Sequence, residues 1–208
     1  QSIAKTPILI AIDGETGVGM RMDSVVNLPK MMMLGAMKDS TIVYTYGKWV
    51  AEQCKQMGIQ VNFAPVADVN NNPNNPVIND RSFGENKFKV ANLAIQYMLG
   101  MKDAGVMGSG KHFPGHGDVN VDSHFDLPVI NKSMAALDSL ELEPFKALIN
   151  AGIESIMVAH LSVPAIDDRP KYATSISPNA VNGLLKKELG FKGISVTDAM
   201  DMKAIANY

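Results

Sequence analysis

Apolar residues recur along this chain in two alternating rhythms. Short, near-continuous apolar runs at 7–12, 59–66, 106–111, 155–159 and 193–197 predict β-strands covered on both faces. Between them, segments 41–56, 87–104, 133–150 and 177–189 carry apolar residues three and four apart and predict helices. Several of these end in the Ala-Gly or Leu-Gly pairs that suit a helix C-cap. Strand and helix in alternation is the pattern of repeated βα units around a parallel sheet.

Each predicted strand runs into polar or glycine-rich residues: Asp13-Gly14-Glu15, Asp68-Val69-Asn70, His112 to Gly117, His160 and Asp198. In a barrel of parallel strands the loops at the strand C-termini build one pocket, so ionisable residues recurring there converge. A doubly wound sheet would place its site at a switch point, and the chain has no Gly-rich dinucleotide fingerprint. The expected fold is therefore α/β, a (β/α)8 TIM-barrel-like architecture. A closed barrel has eight strands in roughly 250 residues. Five strands point to a partial barrel lacking its first and last units, with residues 1–208 forming one truncated domain. The Asn- and Pro-rich stretch 70–79 reads as a loop holding Asp80-Arg81-Ser82-Phe83-Gly84 over the pocket.

Composition narrows the partners. At 208 residues and 46% hydrophobic, with a mean hydropathy of +0.02, the chain can bury a core of its own. Lys plus Arg number 19 against 21 for Asp plus Glu, so the cationic excess needed to neutralise a phosphate backbone is missing, and nucleic acid is not an expected partner. The single cysteine, Cys54, can make neither an intrachain disulfide nor a Cys-rich metal site. No apolar run reaches the roughly 20 residues that span a bilayer. The start at Gln1 has neither an initiator Met nor a signal peptide, so the native N-terminus is expected to be missing. The compartment, bacterial-type cytoplasmic or periplasmic, stays open.

The densest chemistry lies in Lys111-His112-Phe113-Pro114-Gly115-His116-Gly117-Asp118, followed by Asp122-Ser123-His124. A lone His or Lys is most often a solvated or satisfied residue. Here ionisable side chains gather directly after a buried-type strand, among Gly and Pro that fix the backbone, and that marks a site.

At these residues the sequence resembles glycoside hydrolase family 3, in particular its β-N-acetylglucosaminidase branch. That branch carries a Lys-His-Phe-Pro-Gly-His-Gly stretch and then Asp-Ser-His on a loop, as at Lys111 to Gly117 and Asp122 to His124. Its nucleophilic aspartate lies in a Thr-Asp-Ala-Met-like segment after a late strand, as at Thr197-Asp198-Ala199-Met200. Asp13-Gly14-Glu15 with Arg21, and Arg81 in Asp80-Arg81-Ser82-Phe83-Gly84, are similar to its sugar-hydroxyl-binding elements. Thr16 departs from the pattern, since many relatives have Gly or an aromatic residue there.

The resemblance implies the catalytic domain of an exo-acting enzyme that removes terminal N-acetylglucosamine from cell-wall or chitin-derived sugars. Asp198 would be the nucleophile, and His124 the acid/base with Asp122 orienting its ring. Asp13, Arg21, Arg81, Lys111 and His112 would grip the sugar, with His160 and Met200 in the pocket wall. The chemistry fits: a retaining glycosidase needs a carboxylate on one face of the anomeric carbon and a proton donor on the other. Histidine titrates near neutrality and can serve as that donor when a carboxylate fixes its tautomer. No cofactor and no metal are expected, because His112, His116, His124 and Asp122 fit no structural-zinc spacing. A family 3 β-glucosidase, a phosphorolytic variant, a noncatalytic sugar-binding module and a metal-dependent hydrolase stand as alternatives. A further C-terminal domain in the full-length protein is also expected.

Overall fold

A computed structural model describes residues 5–122 and 126–205. Five short strands, β1 (Ala11–Ile12), β2 (Val61–Asn62), β3 (Met107–Phe113), β4 (Ser155–Val158) and β5 (Ile194–Thr197), lie parallel in one sheet in chain order. Ala11 pairs with Val61, Val61 with Met107, Ser109 with Ser155, and Ser155 with Ile194. Every strand neighbours the next in sequence. That is the progression of a barrel, not the order reversal of a doubly wound sheet. Among the described residues the sheet does not close, and β1 and β5 are its edges. The result is the α/β half-barrel that the hydrophobic pattern predicts.

The helices are α1 (Met31–Gly35), α2 (Thr41–Gln56), α3 (Lys87–Asp103), α4 (Met134–Ser139) and α5 (Glu143–Asn150), followed by a π-wound segment, Asn179–Glu188. Tyr97 and Met101 of α3, Val50 and Cys54 of α2, and Phe145 and Leu148 of α5 are all buried in one core with the sheet. Phe145 meets Phe113 of β3 edge-on, with ring centroids 5.4 Å apart.

Besides β2, which keeps only two of the residues expected at 59–66, the structure departs from the pattern in three places. First, the 7–12 run contributes only its last two residues to β1, and Ile8 and Leu9 are 59% and 61% exposed because an edge strand has no outer neighbour to cover them. Second, β3 continues two residues past its expected end, to Phe113, so His112 and Phe113 join Lys111 within the strand. Bonds from both sides hold it there: Ala67 N–H donates to Lys111 O at 2.6 Å and Ala159 N–H to Phe113 O at 2.8 Å. Third, the expected helix 133–150 is two helices. Ser133 caps the first, accepting from Ala136 N–H at 3.2 Å, and Pro144 opens the second, where its missing N–H costs nothing. A proline inside one continuous helix would have broken it.

Helices α2 and α3 approach through glycines. A methyl group on Gly47 would lie 2.2 Å from Tyr97 O, and one on Gly100 would lie 2.0 Å from Tyr44 O. Both neighbours are backbone and cannot swing aside. Gly47→Ala and Gly100→Ala are each expected to lose about 1–3 kcal/mol through overpacking. That loss outweighs the roughly 1 kcal/mol gained in helix propensity. A lower urea midpoint in each variant checks this.

Candidate active site

Four elements bring charged side chains to the C-terminal ends of the strands. Asp13 and Glu15 follow β1, and their loop is fastened from below. Asn62, buried at the end of β2, accepts from Gly14 N–H at 2.9 Å and donates to Gly14 O at 3.0 Å. The Tyr97 hydroxyl of α3 donates to Glu15 O at 2.8 Å. Arg81 comes from a short 3-10 turn, Asn79–Arg81, at the end of the polar loop. Lys111 and His112 come from β3. Successive residues of a regular strand face opposite sides, but the β3–β4 register shifts between Gly110 and Phe113, and both side chains line the same cavity. Asp198 follows β5.

These residues form a dense ionic cluster. The Lys111 ammonium, only 2% exposed, bonds Asp13 Oδ1 at 2.6 Å and lies 2.8 Å from Glu15 Oε1. Arg81 holds Glu15 with both arms, Nη2 to Oε1 at 2.6 Å and Nε to Oε2 at 3.0 Å. Burial alone would raise the Glu15 carboxyl, but Lys111 and Arg81 together hold it well below the usual carboxylate range. Arg21 Nε donates to Asp13 O at 3.0 Å, and its guanidinium lies 3.7 Å from Asp13 Oδ2.

A second cluster sets the histidines. Asp68, fully buried after β2, accepts from His112 Nδ1 at 2.7 Å, from His112 N–H at 3.2 Å and from His116 N–H at 2.7 Å. Arg81 Nη2 lies 3.2 Å from His112 Nε2, and a guanidinium can only donate. Nε2 is therefore the acceptor, and Nδ1 carries the hydrogen given to Asp68. Burial raises the Asp68 carboxyl, and the His112 and His116 contacts outweigh it, leaving it below its ordinary value. Burial, reinforced by His112, pushes the His116 imidazole down to about 4.

Asp13, Glu15, Arg21, Arg81, Lys111, His112, His116 and Asp198 line one cavity of about 290 Å³, with Met20, Val77 and Met157 as its apolar wall. Burial works to raise the Asp198 carboxyl, but His112, the Ala199 N–H, His160 and Lys111 hold it below its ordinary value. The cavity thus combines cationic donors and a carboxylate acceptor, suited to hydroxyl groups, with an ionised carboxylate available to react.

Six of the residues expected from the sequence, Asp13, Arg21, Arg81, Lys111, His112 and Asp198, meet here. His160 is placed differently from its expected wall position: it is 0% exposed, lies beneath the turn after β5, and does not line the cavity. Met200 is 53% exposed and also lies outside the lining. Asp122 is half-buried on the β3–α4 loop, outside the lining, where its backbone carbonyl accepts from Asp126 N–H at 3.2 Å. His124 lies outside the described residues. Glu15 and Asp68 were placed by the sequence at the strand ends but given no role of their own, because their ion partners are tens of residues away in the chain.

A parallel half-barrel with a charged cavity at its strand ends defines a barrel-type α/β domain whose site follows the rule of that architecture. Residues 1–208 match the glycosyl hydrolase family 3 N terminal domain, and the chain belongs to that family. It is 38% identical to a beta-hexosaminidase A of Pseudoalteromonas piscicida, covering 100% of this chain and 37% of that protein. It superposes on the solved family 3 beta-N-acetylglucosaminidase of Paenibacillus sp. with a TM-score of 0.93 at 41% identity, covering 98% of this chain and 39% of that one. A solved beta-glucoside phosphorylase is similar in fold, with a TM-score of 0.94 at 27% identity over 99% of this chain and 39% of that one. The chain thus spans less than half the length of each of these three proteins.

The buried ion cluster makes a stability prediction. Glu15→Gln leaves two buried cations short of their counter-charge and should cost about 3–5 kcal/mol. Asp13 is 41% exposed, so solvent screens its pair with Lys111, and Asp13→Asn should change stability by less than about 1 kcal/mol. Urea unfolding of both variants separates the two cases. His116 adds a pH dependence. Its folded pKa of about 4 lies below the unfolded value of 6.5, so the unfolded chain binds the extra proton first. The urea midpoint should therefore fall as pH drops from about 6.5 towards about 4, and His116→Gln should flatten that slope.

Proposed function

We propose that this chain is the catalytic half-barrel of a retaining exo-β-N-acetylglucosaminidase acting on cell-wall or chitin-derived sugars. The observation that carries the reading is the meeting, in one cavity, of the Asp198 carboxylate with the Asp13, Arg81 and Lys111 hydroxyl-binding cluster. The names of the hexosaminidase and N-acetylglucosaminidase relatives support the same reading, at 38% and 41% identity.

In this reading Asp198 attacks the anomeric carbon. A carbon–oxygen bond forms to the carboxylate while the bond to the leaving oxygen breaks, and the His124 imidazole gives that oxygen its proton. Water then attacks the glycosyl-aspartate, passes its proton to His124 and frees Asp198 with net retention. Asp122 orients the imidazole. Lys111 and Arg81, fixed by Glu15, donate to ring hydroxyls while Asp13 accepts from them, holding the anomeric carbon before the nucleophile. Phosphate could replace water in the second step, and the 27% identity to a phosphorylase keeps that outcome in the test.

A slow fluorinated N-acetylglucosaminide should label Asp198 in the complete protein, and Asp198→Asn should abolish turnover. His124→Ala should lose roughly 10²–10⁴-fold on sugar leaving groups. The same variant should still be glycosylated by an aryl glycoside with an acidic phenol, and azide should speed its second step. A label on another residue, or equal loss with good and poor leaving groups, overturns the assignment. Faster turnover of a glucoside than of the N-acetylglucosaminide would mark a β-glucosidase. Sugar 1-phosphate formed with added phosphate would mark the phosphorolytic variant.

A further inference from the structure

The turn carrying Asp198 is anchored downstream by the buried Met202, Ala204 and Ile205, and Met202 N–H donates to Ala199 O at 3.2 Å. Ala199 and Met200 themselves are exposed, and their side chains do not anchor the tip through burial. On the side of the sheet, its backbone is held by two further hydrogen bonds, to β4 and to the residues that follow it. Asp198 N–H donates to Val158 O at 3.0 Å. Two residues further along, the His160 ring reaches Ala199 O from Nε2 at 2.9 Å. A carbonyl only accepts, so Nε2 carries the hydrogen, and Nδ1, 2.6 Å from Ser175 Oγ, is the acceptor of that hydroxyl in the neutral ring.

The frame around His160 is itself fixed. Ala159 N–H bonds Phe113 O of β3 at 2.8 Å, the Thr174 hydroxyl bonds Ala159 O at 2.7 Å, and Thr174 N–H bonds Leu161 O at 2.8 Å. The short turn Thr174–Ile176 that carries Ser175 is therefore locked to the chain on both sides of His160. From Ser175 the bonds run to His160, from His160 to the Ala199 carbonyl, and from the Ala199 N–H to Asp198 Oδ1 at 2.8 Å. Among the described residues Oδ2 of Asp198 has no hydrogen bond, and it is left as the oxygen that can attack.

We infer that His160 is a positioning residue for Asp198, aiming its carboxylate through the Ala199 backbone without touching the sugar. The inference rests on the reading of Asp198 as nucleophile. Asp198 attacks in the first step and departs in the second, so its aim matters to both. Loss of His160 should slow good and poor leaving groups alike, unlike loss of a proton donor. A misplaced reacting group can cost about 10²-fold.

The test uses the complete protein with para-nitrophenyl and alkyl N-acetyl-β-glucosaminides. His160→Leu should lower kcat on both substrates by roughly 10²-fold with KM little changed. His160→Gln, whose amide nitrogen reaches about where Nε2 lies, should recover most of that loss. Ser175→Ala, which frees the ring but keeps the Nε2 bond, should lower kcat less and leave KM unchanged. A raised KM with kcat preserved in His160→Leu would make His160 a sugar contact and overturn the inference. Equal impairment in Leu and Gln variants would reduce it to packing. Where His160→Leu does not fold, Ser175→Ala decides, and an unchanged kcat there overturns the inference. Asp198→Asn is assayed alongside: full turnover in that variant dismisses the nucleophile reading itself, independently of His160.

Discussion

The site depends on a single buried charge. An ammonium group as enclosed as that of Lys111 is stable only if counter-charges and hydrogen bonds replace its lost water. Asp13 and Glu15 supply them at 2.6 and 2.8 Å. Glu15 in turn is tolerable in the interior because Arg81 clasps both its oxygens. The loop after β1, strand β3 and the end of the polar loop are thereby tied into one electrostatic unit. None of these three segments could move away without stranding a charge in low dielectric. The rigidity of this cluster is thus a by-product of the cost of burying ions.

The same economy governs protonation. Asp68 takes one hydrogen from the His112 ring and backbone hydrogens from His112 and His116, while Arg81 donates to the other ring nitrogen, Nε2. One arginine therefore contributes to both clusters, bonding Glu15 and fixing the His112 tautomer. The Asp198 carboxylate stays ionised in this environment because His112, the Ala199 N–H, His160 and Lys111 together outweigh its burial. In the proposed reaction, pKa control and substrate grip come from overlapping residues.

Much of the fold was legible in the sequence. The apolar runs and helical stripes located all five strands and the long helices because burial on a sheet or a helix face imposes a period on the chain. The span of α2 was read to the residue, and α3 to within one. Pro144, inside the expected helix 133–150, was the visible signal for the break into α4 and α5. The exposed Ile8 and Leu9 gave no such signal, since an apolar run reads the same whether or not a neighbouring strand covers it.

What the sequence determined by itself was the place of Asp13, Lys111, His112 and Asp198 at the strand ends: each follows or ends an apolar run, and parallel strands must deliver such residues to one rim, while Arg21 and Arg81 came from the resemblance to the family. What only the tertiary structure decided was partnership. Lys111 and Glu15 are far apart in the chain, and no local pattern tells which carboxylate will meet which cation. The register shift in β3 that turns both Lys111 and His112 into the cavity is likewise invisible in the alternation of residue types. His160 illustrates the difference most clearly. A polar residue after a strand reads as a member of the pocket, yet its ring lies under the turn it holds, because hydrogen bonds to Ser175 and Ala199 compensate its burial there, and only the folded chain brings those partners together.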